Sequence, residues 1–348
     1  MSRSTARRLL CAALLAQAAF GAPAPPKTRN VIFVMTDGLR WQEVFRGTDA
    51  ALLDKKPAER REALMPFLWQ TMARYGQVYG NRDLGSEAYV TNGFNFSYPG
   101  YSETLCGFAD ARIHSNDNVP NPNVTVLEWL ERKPKYSGRV AAFGAWEVIS
   151  AVVNPARSGV LANAGYEPLL APPITPSLDL INRLKADTNI WDDESFDSFT
   201  FYTAAEYLKL HHPRVLYLSL GETDEWAHQG NYDAYLKAAH RADRFVRELW
   251  QTVQSIPEYR GATTLIFSPD HGRGDGGGEW RNHGEKVPDS KYIWMAFLGP
   301  DTPALGERAH IAPVTQSQIA ATLAALLGED YNADVPKAGK PIRDVLPQ

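Results

Sequence analysis

"NVIFVMTDG" (residues 30–38) sets an unbroken apolar run directly before Asp37-Gly38. Such a run, closed by a turn signal, is the pattern of a strand buried on both faces of a parallel sheet. The theme recurs twice. "RVLYLSLGETD" (214–224) leads from apolar residues into Asp224, and "ATTLIFSPDHG" (262–272) leads into Asp270-His271. Between these runs lie segments of helical spacing at 58–74, 124–132, 178–186, 195–210 and, most regular of all, 231–254. "GRVAAFGAW" (138–146) and "KYIWMAFLGP" (291–300) read as further strands, and 315–328 as a helix stopped by Gly328. Alternating strands and helices indicate an α/β fold, a largely parallel central sheet flanked by helices. No internal repeat or linker divides the chain. Residues 23–348 read as one domain, with insertions around 76–135 and 147–195.

Composition narrows the classes. The 348 residues are 44% hydrophobic, enough for a sizeable core, and carry a formal net charge of −4. No basic stripe marks a nucleic-acid polymer as partner. At the N-terminus, Arg3, Arg7 and Arg8 precede an apolar run from Leu9 to Phe20 and then small residues. Residues 1–22 read as a secretory signal peptide cleaved near Ala18 to Ala22, implying an exported, periplasmic or secreted protein. A membrane anchor is the competing reading, but a run of about a dozen residues is short of the roughly 20 that a spanning helix needs. Cleavage would remove Cys11 and leave Cys106 as a single thiol, with no internal disulfide.

The carboxylates at the three strand ends carry the chemistry. In open α/β sheets the ligand crevice lies outside the carboxyl ends of the strands, so Asp37, Asp224 and Asp270 are candidates to converge. One Asp before Gly is more often a turn residue than a ligand. The neighbours add weight. His228 follows Asp224 by four residues, on the same face of a helical turn. His271 adjoins Asp270, and His283 lies across the glycine-rich segment "GRGDGGGEWRN". Three Asp and three His suit two divalent ions, zinc foremost, each with an open position. His114, His211, His212, His240 and His310 lack such placement and read as structural or solvated. Within the loop, Arg273, Asp275, Glu279 and Arg281 read as solvent-facing charges or as contacts to a substrate.

A hydrolytic site needs a nucleophile. In "NFSYPGYSETLCG" (95–107), Ser97 precedes Pro99-Gly100 and a plausible helix start, where backbone N–H groups favour anions. Next to a metal its hydroxyl would ionise and attack phosphorus or sulfur. The plain alternative is a capping or turn serine. Ser102 and Thr104 compete for the role.

The ordered set Asp37, Ser97, Asp224-x-x-x-His228, Asp270-His271-Gly272, His283-Gly284 resembles the alkaline phosphatase superfamily, most of all its nucleotide pyrophosphatase/phosphodiesterase-like branch. Ser97-Tyr98-Pro99 with Gly107 matches that branch, and the likeness extends from about Asn30 to Gly328. The resemblance implies one metal on Asp37, Asp270, His271 and Ser97, and a second on Asp224, His228 and His283. It also implies a phosphoserine intermediate and a small-molecule phosphate ester as substrate. Phosphodiesterases of the branch place Asn three residues after the nucleophile, where this chain has Gly100. The Gly100 backbone, Asn282 or Arg281 would then serve as substrate contacts, and monoesters and diesters both remain open. Formylglycine sulfatases need Arg where Tyr101 stands, which argues against that reading. A phosphonate hydrolase and a non-catalytic binder of metal or a phosphorylated ligand are the further alternatives.

Overall fold

The computed structural model describes residues 26–54 and 57–347. The expected signal peptide and Cys11 lie outside the described residues. Strands β1 (Asn30–Thr36), β2 (Gln77–Tyr79), β3 (Ala88–Tyr89), β4 (Val140–Gly144), β5 (Leu161–Ala164), β6 (Val215–Leu220), β7 (Thr263–Pro269), β8 (Met295–Leu298), β9 (Gly306–Glu307) and β10 (Val314–Thr315) occur in that order. Eight of them form one sheet in the order β5-β4-β6-β1-β7-β8-β2-β9, while β10 pairs with β3. The block β5-β4-β6-β1-β7 is parallel throughout. Strand β8 then runs antiparallel to both β7 and β2. The mixed α/β architecture with a mostly parallel sheet is the one expected.

Alternation along β1 divides the core into two layers. Val31, Phe33 and Met35 join Tyr101, Leu105, Leu127 and Leu323 on one face. Ile32 and Val34 join Phe201, Leu208, Phe245 and Leu249 on the other. Helices cover both faces, so the strands bury side chains on each side, which is why they read as unbroken apolar runs. Each such side chain, fully buried, contributes roughly 1.5–3 kcal/mol.

The 24-residue helix Tyr232–Ser255 buries Tyr235, Ala239, Ala242, Val246, Leu249 and Val253. Their spacing of three and four residues makes one apolar stripe. Asn231 caps its start, accepting from the Ala234 N–H at 3.1 Å.

Segment 58–74 departs from the single helix that its spacing predicts. It forms a helical turn at Arg61–Leu64, a π-turn at Leu68–Met72 and a short turn at Ala73–Tyr75. Pro66 is the cause, because its ring disfavours helical backbone at Met65 and it has no N–H to continue the ladder. Asp243 of the long helix accepts the Phe67 and Leu68 N–H groups, each at 2.8 Å, and restarts the turn. The strand expected over 291–300 is confined to β8. Among the described residues no helix is long and apolar enough to cross a membrane.

Candidate metal centre

Register places the site. Strand β1 lies between β6 and β7, with Thr36 opposite both Leu220 and Pro269. The residue that follows β1 is Asp37, beside Asp270 on one flank and Gly221 on the other. The Asp37 N–H donates to the Leu220 carbonyl at 2.8 Å, and the Asp270 N–H to the Thr36 carbonyl at 3.2 Å. From Gly221 the chain turns into the helix Glu222–His228, which carries Asp224 and His228. The Asp197 carboxylate holds its start, accepting from the N–H groups of Gly221 (2.7 Å) and Glu222 (3.3 Å). The Thr223 hydroxyl donates to the Asp37 carbonyl and ties this helix to the end of β1.

Two groups of ligand atoms result, and His271 belongs to both. Asp37, Asp270 and His271 present atoms within 4.8 Å of one another, as do Asp224, His271 and His283. In the first group, His271 Nε2 lies 3.2 Å from Asp37 Oδ1 and 3.5 Å from Asp270 Oδ2. The His271 Nδ1–H donates to the Gly272 carbonyl at 2.8 Å, leaving Nε2 as the free lone pair of the ring. Asp270 Oδ1 accepts the Gly38 N–H at 3.0 Å, and no hydrogen-bond donor reaches buried Asp270 Oδ2. Ser97 opens the helix Ser97–Cys106, with its Oγ 3.4 Å from both Asp37 Oδ1 and His271 Nε2.

Beside the second group, His228 Nε2 stands 3.0 Å from Asp224 Oδ2 and 2.9 Å from His283 Nε2. His283 Nε2 is 3.6 Å from Asp224 Oδ1. The rings of His271 and His283 stack with centroids 4.1 Å apart, which joins the two groups.

Charge is concentrated here. Burial, then Asp37 beside it, pushes the Asp270 carboxyl well above the usual range. Burial opposes charge on His271, but Asp270 and Asp37 outweigh it and raise the imidazole to about 9. Burial lowers His228, and burial together with the cations around His283 lowers it strongly. Crowded carboxylates, an orphaned carboxylate oxygen and, at His228 and His283, imidazoles held neutral form a donor set that fits divalent cations.

The other expected residues sort cleanly. The Ser102 hydroxyl accepts from Asn121 at 3.3 Å and faces Cys106, while Thr104 donates to the Gly100 carbonyl at 2.9 Å. Neither touches the ligand groups through these bonds, and Ser97 does. The Gly100 N–H already donates to the Phe96 carbonyl at 3.0 Å, and the Tyr98 N–H to Asn116 at 2.9 Å. Two of the backbone donors at this helix start are thus engaged within the fold. A Cβ on Gly100 would come 2.6 Å from the Asp270 carbonyl oxygen, so the glycine lets the helix that carries Ser97 pack directly on Asp270. Arg281 and Asn282 are exposed. His240 donates its Nδ1–H to the Leu64 carbonyl (2.9 Å), and His212 pairs with Glu258, both in bonds outside the ligand groups.

Two residues escaped the sequence reading. Tyr101, fully buried, donates its hydroxyl to Asp37 Oδ2 at 2.8 Å and accepts from Ser219 at 3.0 Å. Arg273 is not a solvent-facing charge, because it is fully buried and ion-paired with Asp224. Helical spacing offers a signal for Tyr101, four residues after Ser97; nothing local marks Arg273.

No family model matches the chain, and no curated protein matches it. Solved structures do. Alkaline phosphatase PafA superposes with a TM-score of 0.65 at 11% identity, over 94% of this chain and 100% of that one. A protein in the alkaline phosphatase superfamily from Vibrio parahaemolyticus gives 0.57 at 17% identity, over 91% and 71%. A 2-O GAG sulfatase gives 0.55 at 15% identity, over 92% and 74%. Strand order, strand-end ligand groups and these superpositions together identify the fold as that of the alkaline phosphatase superfamily.

Proposed function

We propose that this chain is an exported hydrolase of phosphate esters, with Ser97 as nucleophile and two divalent metal ions, zinc foremost. The observation that carries the reading is the place of the Ser97 hydroxyl, 3.4 Å from both Asp37 and His271 at the first ligand group. Asp37, Asp270, His271 and Ser97 would hold one ion, and Asp224, His228 and His283 the other. Bound there, such ions would favour ionisation of the Ser97 hydroxyl and offset the charge that builds up during the reaction. Ser97 Oγ attacks phosphorus in line, the bond to the leaving oxygen breaks, and the alcohol departs from a phosphoserine. Water then attacks the same phosphorus and releases phosphate, restoring the hydroxyl. Tyr101 steadies Asp37 through its hydroxyl, and the Gly272 carbonyl fixes the His271 tautomer.

With the Gly100 and Tyr98 N–H groups engaged, the exposed side chains of Arg281 and Asn282 are the candidates to bind the phosphoryl oxygens. The substrate is a small-molecule ester in this reading, and the domain spans residues 23–348. The nucleotide pyrophosphatase/phosphodiesterase-like branch is supported by Ser97-Tyr98-Pro99 and Gly107. A sulfatase reading draws on the likeness to a 2-O GAG sulfatase. It is disfavoured by Tyr101, whose hydroxyl is bound to Asp37 where a formylglycine site needs arginine.

The test is kcat/KM of zinc-loaded protein on p-nitrophenyl phosphate, bis-p-nitrophenyl phosphate and p-nitrophenyl sulfate. Phosphate turnover that depends on Ser97 supports the proposal. Turnover of sulfate alone would favour the sulfatase, and silence on every ester a non-catalytic binder.

A further inference from the structure

Arg273 is the charge that the hydrolytic reading leaves unexplained. It lies two residues after His271, and no part of it is exposed. Its guanidinium donates to the Arg281 carbonyl and to the Asp224 carbonyl, the latter at 3.3 Å, and ion-pairs with Asp224 Oδ1. That oxygen is also the one that faces His283. The Arg273 Nε finds no acceptor.

The surroundings are shaped around this pairing. Gly38 has φ +58°, and a Cβ on it would come 2.8 Å from Arg273 Nε, 2.9 Å from Asp224 Oδ1 and 3.1 Å from His271 Cε1. Only a bare backbone fits between the guanidinium and the two ligand groups. The other buried arginine nearby, Arg40, has its own partner. Glu43 accepts from Arg40 and from the hydroxyls of Tyr232 (2.8 Å) and Tyr235 (3.2 Å). Glu43 is thus occupied, and Asp224 is the carboxylate paired with Arg273 among the described residues.

The formal charges then differ between the groups. Once an ion has displaced the protons of the first group, Asp37 and Asp270 give it −2 with a neutral His271. Asp224 gives the second −1, and Arg273 returns +1, leaving zero with neutral His228 and His283. A fixed positive charge on a ligand carboxylate inside the protein, where screening is weak, lowers affinity for a divalent cation roughly tenfold or more.

We infer that Arg273 is a built-in positioning cation that makes the two ligand groups unequal. The Asp37–Asp270–His271 group holds its ion tightly, and the Asp224–His228–His283 group holds its ion weakly and exchangeably. The inference rests on the proposed two-metal reading of the site.

Equilibrium dialysis of the mature protein against buffered free zinc, read by elemental analysis and repeated with cobalt absorption, tests it. The wild type is expected to fill in two steps separated by at least roughly tenfold in free metal. Arg273→Met, which keeps the length and removes the charge, is expected to move the second step to lower free metal by a similar factor. The first step stays in place. A single step in the wild type would overturn the inference, as would loss of the second ion in Arg273→Met, which would make the arginine a scaffold. If Arg273→Met does not fold, the wild-type titration alone decides between one step and two. Failure to bind either ion at any concentration would instead overturn the proposed function.

Discussion

The imidazoles of His271 and His283 lie stacked, centroids 4.1 Å apart and planes inclined by 24°. One adjoins Asp37 and Asp270, and the other adjoins Asp224 and His228. A twelve-residue step along one loop therefore links both ligand groups, and a change at either end reaches both.

Ser97→Ala is expected to lower kcat/KM on the preferred phosphate ester by about a thousandfold or more, as for other enzymes deprived of their nucleophile. Ser102→Ala, on the same helix but turned toward Asn121 and Cys106, should leave turnover near wild type. Equal losses in the two variants would remove Ser97 from its role.

Gly100→Ala drives a Cβ to within 2.6 Å of the Asp270 carbonyl oxygen, a backbone atom that cannot step aside. Overpacking of this kind costs about 1–3 kcal/mol. Urea denaturation should show that loss, and kcat/KM should fall with it because Ser97 moves with the helix. Unchanged stability would mean that the helix and the end of β7 are not in contact.

Tyr101→Phe removes the hydroxyl that Asp37 Oδ2 accepts and leaves Ser219 without its acceptor. The expected cost is about 0.5–1.5 kcal/mol in stability. Metal affinity should drop by roughly 10- to 100-fold, the usual effect of losing a ligand's outer hydrogen bond. Competition with a fluorescent chelator measures the second effect, and an unaltered affinity would free Asp37 from dependence on Tyr101.

The metal-free protein should lose stability on the alkaline side. His271 is raised to about 9 in the fold, above the ordinary value of 6.5. A raised group stabilises fully below its unfolded value and ceases to do so as pH climbs through its folded one. Asp270, also raised, acts in the same direction. His228 and His283 are lowered, so their contribution is lost as pH falls below about 6.5, where the unfolded imidazoles take up protons first. Thermal unfolding without metal should therefore show a Tm that declines from pH 6.5 toward pH 9. Added zinc should flatten the alkaline limb, since a cation then replaces the proton on His271. A Tm that rises steadily to pH 9 without metal would contradict this.

By itself the sequence determined five strands of the sheet, β1, β4, β6, β7 and β8, and where the carboxylates and imidazoles of the candidate site sit relative to them. Apolar runs that end in Asp37, Asp224 and Asp270 are local signals, because a strand buried on both faces must be apolar at every position. His228 was legible for a similar reason, since four residues of helix return to the same face. The interruption at Pro66 was equally local, yet the apolar spacing across 58–74 masked it. Tertiary structure alone decided the rest. Arg273 stands in a run of glycines and charges that is indistinguishable from a solvated loop until Asp224, 49 residues earlier, closes over it. Tyr101 serves Asp37 from 64 residues away, and the Gly100 backbone meets Asp270 across the sheet edge. Burial, charge compensation and close approach depend on which distant residues meet, and the register of β1 between β6 and β7 sets those meetings.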